Sequence, residues 1–366
     1  RARSEILAAT PAFEPQSDAV VALSARVKAS FDPDGLFAIT RVAFREMLRA
    51  GFTTVGEFHY VHHQPDGRAY DDANELSWQV VRAAQDVGIR LVLLEVFYQR
   101  AGAGREALAE QRRFCDRDVE AYLARVEALR ATGVSVGLAP HSVRAVARPD
   151  LEQLAAYGAR ERLPMHAHVS EQRRENDECL AEHGCSPTAL LGECGFFGRP
   201  RGFTAVHAIA TDADDRARLR GQTVCACPTT EADLGDGLVE ASELRSDGVA
   251  LAVGSDSNAI IDPIQEVRLL EMGERLRSRR RICLAGDERG LGASLLEIGT
   301  VAGARSLGLD HVGDLVVGNA FDAAVIDRRH PLFAEVTDDA ILDALLTCAT
   351  ASVVSHVVVG GVERTP

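Results

Sequence analysis

Apolar and polar positions recur with two different periods along this chain, and the changes between them lay out its elements. From Asp34 onward Leu36, Ile39, Val42, Ala43, Met47 and Leu48 fall at helical spacing, and Gly51 closes the run as a C-cap. Short apolar runs then alternate with amphipathic ones. Extended segments are predicted over 52–58, 91–96, 134–139, 163–169, 203–207, 223–227 and 251–254. Helices are predicted over 72–87, 116–131, 151–159, 174–182, 212–219 and 241–245. Strands that alternate with helices imply βαβ units and a parallel sheet. The fold class is therefore α/β, a TIM-like barrel of the (β/α)8 kind that is one strand short of eight. After Asp256 come helices over 263–277 and 294–304, then Gly-flanked strands over 321–326 and 352–359. The expected organisation is an irregular N-terminal segment over 1–33, where 18–30 fits one amphipathic helix, a barrel over 34–318, and a small β-rich appendage over 319–366.

Composition narrows the function classes. The 366 residues suffice for a barrel of about 250 residues plus an attachment. A net charge of −14 argues against nucleic acid as the main partner, because phosphate neutralisation needs clustered Lys and Arg. The eight cysteines are scattered and form neither a disulfide framework nor a four-cysteine zinc site, which points to a reduced, cytoplasmic setting. No apolar run approaches the roughly 20 residues of a membrane span, and the chain opens on Arg1 without a signal-peptide core. A small polar substrate fits these bounds.

Chemistry gathers at the predicted strand ends, which read Glu57-Phe58-His59, Glu95, His141, His168 to Glu171, His207, Pro228 to Glu231, and Asp256. The stretch from Pro164 to Glu171 carries most of it. Positions i and i+3 of a strand point to opposite faces, so His168 and Glu171 share one site only if the backbone curls after Val169. Singly, each residue has a plain structural reading. His166 and His168 suit a hydrogen-bonded pair on one strand face, His207 a buried histidine on a carbonyl, and Asp256 a helix cap. Together they sit where a parallel barrel opens its active face, and they are the residue types of a metal-assisted hydrolase.

These residues resemble the amidohydrolase superfamily in its mononuclear deaminase branch, with the strand-five His-x-x-Glu at His168 and Glu171, the strand-six His at His207 and the strand-eight Asp at Asp256. The runs from Gly56 to His63, Ala139 to Arg144, His166 to Arg173, Cys227 to Gly237 and Gly254 to Asn258 look more narrowly like the formimidoylglutamate deiminases of histidine degradation. That resemblance implies hydrolysis of N-formimino-L-glutamate to N-formyl-L-glutamate and ammonia. It implies one Zn2+ or another divalent ion held by His168 and Asp256, Glu171 as proton carrier, and His207 polarising the attacking oxygen. Tyr98, His141 and Arg144 match substrate-binding positions, an Arg fork being suited to a carboxylate. A homodimer is the habit of the family.

One departure stands out. The family carries a His-x-His metal pair on its first strand, whereas no histidine lies upstream of Gly51 here. The missing strand and the missing ligand pair are one absence, and it leaves the metal with fewer than the usual three protein ligands. Two explanations stand: an N-terminal piece outside this chain, which the intact remaining positions favour, or a metal-free paralogue that binds a small acid. His166 and His168 have the spacing of that pair, but the number of strands before them and Glu171 after them place them on strand five. His59, His62 and His63 read as structural or rim residues, and Cys225 and Cys227 as core.

Overall fold

The structure, a computed structural model, describes residues 31–198, 201–257, 260–286 and 290–364. The helix expected over 18–30, most of the segment 1–33, and Asn258 lie outside them. The first described helix, α1 (Pro33–Ala50), starts where the sequence supplies every device for it: the Asp32 carboxylate accepts the Gly35 N–H, Pro33 occupies the first turn, and Asp34 complements the helix dipole. Gly51, at φ 103°, closes it in the left-handed region. Leu36, Phe44, Met47 and Leu48 form its buried stripe.

Seven strands follow: β1 (Thr54–His59), β2 (Arg90–Phe97), β3 (Val136–Pro140), β4 (Met165–Val169), β5 (Phe203–His207), β6 (Thr223–Ala226) and β7 (Ala250–Val253). They lie in one parallel sheet in chain order, curled as a half-barrel with helices between successive strands. This bears out the α/β architecture and the count of seven. Among the described residues β1 and β7 do not pair with each other, so the sheet is open at that edge. Sequence-adjacent neighbours in a parallel sheet are what right-handed βαβ crossovers produce. Strands β2 and β3 bury nearly every residue because helices cover one face and barrel side chains the other.

The chain then forms a three-stranded antiparallel sheet of β8 (Ala323–Ile326), β9 (Val354–Val359) and β10 (Val362–Arg364). It packs against the end of α1: a Cβ on Gly51 would meet Ala324 and Val354 at 3.3 and 3.4 Å. Arg90, at the start of β2, reaches across to Asp322 at 3.0 Å. The helix expected over 294–304 is interrupted, with Gly290–Glu297 and Gly303–Ser306 separated by a π turn over Ile298–Ala302. The short helices Pro187–Glu193 and Pro228–Leu234 escape periodicity because two turns are too few to show it.

Beside the open edge lies a buried ionic knot. Arg125 donates bidentately to Asp116 at 2.9 and 2.7 Å and to Glu95 Oε2 at 2.8 Å, while Ser77 Oγ donates to Glu95 Oε1 at 2.6 Å. All three charged groups are almost wholly enclosed. His62 and His63 stand 3.6 and 3.7 Å from Glu95 and Asp116. His59, His62 and His63 are therefore interior residues of this knot, and the rim position open to them in the sequence does not hold. Deleting Arg125 strands two buried carboxylates. Arg125→Ala is expected to lose about 3–5 kcal/mol in urea unfolding, and a loss below 1 kcal/mol would show that water or relaxation relieves them.

Candidate active site

The backbone does what the His168 and Glu171 spacing requires. Strand β4 ends at Val169, and Ser170 turns at φ 50° into the left-handed region, which redirects Glu171 toward the same mouth. The same break occurs at His207 (φ 71°) and Ala208 (φ 53°) after β5 and at Asp256 (φ 43°) after β7. Apart from the helix caps Arg162 and Arg279, these are the non-glycine residues with positive φ among those described. Each costs on the order of 1 kcal/mol, held in place by the paired strands on either side.

The parallel register pairs His168 with Val206 and Val169 with His207, which stacks the two imidazoles 5.5 Å apart at 14°. His168 Nδ1–H donates to the His141 carbonyl at 2.9 Å, so its Nε2 lone pair is the free one. His207 Nδ1–H donates to Glu231 Oε1 at 3.2 Å, and its buried Nε2 has no hydrogen-bond partner. That nitrogen stands 3.7 Å from Asp256 Oδ2 and 4.0 Å from Glu171 Oε1. Burial disfavours a charged His207, but the Glu231 bond and the carboxylates of Glu171 and Asp256 outweigh it and lift the imidazole to about 9. His168 is pushed the other way, first by burial and then by His207.

The three substrate-binding candidates gather beside it. The His141 ring lies 4.8 Å from His168 and 4.8 Å from Tyr98, with Phe58 and Tyr60 edge-on at 6.2 and 5.9 Å. Tyr98 is buried, its hydroxyl accepts from Gln111 Nε2 at 2.9 Å, and burial raises its phenol. The half-buried Arg144 acts electrostatically on both Tyr98 and Glu175, opposing the effect of burial on each. Six of the seven sequence-derived residues are thus joined by direct contacts: Tyr98, His141, His168, Glu171, His207 and Asp256.

Sequence reasoning missed several neighbours. Glu175 is buried, accepts the Glu171 N–H at 3.3 Å, and is raised by burial to about 7. Glu231 orients His207, and Tyr60 adds its ring to the wall around His141. Cys227 is the fourth, because donor atoms of His207, Cys227 and Asp256 lie within 4.8 Å of one another. Two of these had a readable signal: Glu231 stands in the strand-end stretch 228–231, and Glu175 follows Glu171 by four residues.

The donors present fit a divalent cation: the unpartnered Nε2 of His168 and the Asp256 carboxylate, in surroundings rich in negative charge, with the unpaired Nε2 of His207 beside them. A second group, His59, His62 and Glu95, also brings its donor atoms within 4.8 Å of one another, but Glu95 already bonds Arg125.

A parallel sheet whose strand ends converge on such a set is the architecture of an α/β-barrel hydrolase. The chain belongs to the Amidohydrolase family, whose pattern it matches over residues 13–363. It is 38% identical over 344 residues to formimidoylglutamate deiminase of Pseudomonas aeruginosa, covering 92% of this chain and 75% of that protein. An isoxanthopterin deaminase from an unknown prokaryotic organism is 31% identical, covering 86% of this chain and 68% of the relative. Among solved structures, an amidohydrolase from Brucella melitensis superposes with a TM-score of 0.84 at 30% identity, covering 96% of this chain and 80% of that one. No helix among the described residues is long and apolar enough to cross a membrane.

His166, two residues before His168, has a different role. Its Nε2–H donates to the Ser306 carbonyl at 2.8 Å, and burial lowers its pKa from 6.5 to about 4. The folded state therefore prefers the neutral ring. Its contribution to stability is full above pH 6.5 and is lost progressively as pH falls toward 4, because the unfolded chain protonates first. Urea midpoints should show wild type losing about 2 kcal/mol more than His166→Gln between pH 7.5 and pH 5. Equal losses in both proteins would assign the acid sensitivity elsewhere.

Proposed function

We propose that this chain catalyses the metal-dependent hydrolytic deimination of N-formimino-L-glutamate to N-formyl-L-glutamate and ammonia, a step of histidine degradation. The observation that carries this reading is the placement of Glu171, His207 and Asp256 around one point. The 38% identity to formimidoylglutamate deiminase supports the choice of an acyclic amidine.

His168 and Asp256 would hold the cation, Zn2+ being the best match to their nitrogen and oxygen donors. When bound, such an ion acts as a Lewis acid and makes water a nucleophile near neutral pH. The chain supplies the rest. Glu171 takes a proton from the attacking water and delivers it to the departing nitrogen. The oxygen–carbon bond forms, the carbon–nitrogen bond of the imino group breaks, and nitrogen leaves as ammonia. His207, kept protonated by Glu231, points Nε2 toward the attacking oxygen and stabilises charge that develops there. The cationic formimino group suits the acidic surroundings. The two substrate carboxylates need the opposite, which Arg144 provides by its forked donors, with Tyr98 and His141 closing the wall.

Two variants test the assignment. Glu171→Gln should lower kcat by about 10²- to 10⁴-fold in an ammonia-release assay while metal content is unchanged; undiminished turnover removes Glu171 as proton carrier. Arg144→Ala should raise KM for formiminoglutamate about tenfold or more and leave hydrolysis of a formamidine without carboxylates unaffected. An equal effect on both compounds, or faster turnover of a ring amine than of formiminoglutamate, overturns the dicarboxylate reading.

A further inference from the structure

We propose that Arg100 is a positioning residue for substrate recognition. It fixes the loop after β3, which presents His141 and Arg144, against the helix Arg173–His183, which begins beside Glu171. The spacing between the carboxylate-binding and proton-transferring ends of the site follows from that contact. The inference rests on the dicarboxylate reading above and deepens it. The Arg100 guanidinium uses all three of its nitrogens. Nε donates to the Arg144 carbonyl at 3.1 Å and Nη2 to the Val143 carbonyl at 3.3 Å, while Nη1 and Nη2 fork onto Glu182 Oε1 and Oε2 at 2.7 and 2.9 Å. A planar fork lets one side chain hold two carbonyls and a carboxylate at once, and a lysine ammonium does not reproduce it.

The backbone around Arg100 serves the same end. Gln99 N–H and Arg100 N–H both donate to the Ala145 carbonyl, at 3.1 and 3.2 Å, and Gln99 Oε1 accepts Ala147 N–H at 3.3 Å. The start of the loop is tied to the site itself. His141 N–H donates to the Phe97 carbonyl at 3.0 Å, and the His141 carbonyl accepts both His168 N–H and His168 Nδ1–H, at 3.0 and 2.9 Å. Between these anchors the Val143 and Arg144 carbonyls take their hydrogen bonds, among the described residues, from Arg100. On the other side, Glu182 belongs to the helix whose first turn supplies Glu175, the acceptor of Glu171 N–H at 3.3 Å. One helical turn earlier Glu178 pairs with Arg105 at 3.1 Å, but the Arg105 side chain makes no hydrogen bond to the loop among the described residues. Glu182 is exposed and Arg100 half-buried, so their ion pair adds little to stability, and what Arg100 contributes is placement of the loop.

The test compares variants by calorimetric binding of N-formyl-L-glutamate and by ammonia release from formiminoglutamate. Arg100→Ala should raise both Kd and KM about five- to tenfold and leave kcat within about twofold, since the reacting groups are untouched. Hydrolysis of a formamidine without carboxylates should not change. In an Arg144→Ala background the same substitution should add less than about twofold, because both residues act through one contact. Arg105→Ala should leave every constant as it is. If Arg100→Ala folds poorly, Glu182→Gln, which removes the ionic half of the fork, should raise Kd and KM in the same direction. Unchanged Kd and KM in both variants overturn the role of Arg100 while the function stands. So does an effect that persists in full beside Arg144→Ala, is shared by the plain formamidine, or is matched by Arg105→Ala. Wild-type protein that neither binds N-formyl-L-glutamate nor turns over formiminoglutamate overturns the dicarboxylate reading and this inference with it.

Discussion

Everything at the active face depends on the parallel pairing of β4 with β5. Because Val169 lies opposite His207, the two strands end level, and each leaves the sheet through a residue in the left-handed region. Regular strands would have sent Glu171 to the face away from His168. The kinks at Ser170, His207 and Asp256 convert strand ends into a ring of inward side chains, and the hydrogen bonds from Ala208 N–H to Val169 O and from Ala210 N–H to Ser170 O hold the turns. Strain of this kind persists where surrounding structure over-determines it, and here that structure is a buried parallel sheet.

The second constraint is electrostatic. Glu171, Glu175, Glu231, Asp236 and Asp256 crowd one end of the sheet, and burial there raises Glu175 to about 7 and Asp236 to about 6. His207 absorbs part of the remainder as an imidazolium. A divalent cation would absorb more, which is why the arrangement is better suited to holding an ion than to standing without one. The neighbouring Arg125 knot works by opposite logic: its charges satisfy one another at full hydrogen-bond distance and leave little demand for a ligand. Similar residue types thus leave donors unpaired in one place and satisfy one another fully in the other.

Much of this was legible in the chain as written. Apolar runs of four to seven residues bounded by helical periodicity located all seven strands to within about two residues, since burial on both faces of a parallel sheet leaves a signal that loops do not imitate. Residues just past the strand ends stand out for the same topological reason, and side-chain geometry along a strand requires the curl after Val169. Other features were not legible. The enclosure of His59, His62 and His63 depends on Asp116 and Arg125, more than fifty residues further along, and no local pattern announces an ion pair closed over that distance.

Cys227 marks the boundary between the two kinds of information. In sequence it is one of two alternating cysteines in an apolar strand, a pattern that burial alone explains. Its neighbours are decided by where β5 and β7 end in space, which sets His207 and Asp256 beside its sulfur. The sequence by itself determined the class of fold, the order of its strands and which residue types stand at their ends, because period and turn chemistry are local properties. The tertiary structure alone decided which of those residues face one another, since distance across a sheet is set by register and twist and leaves no trace in spacing along the chain.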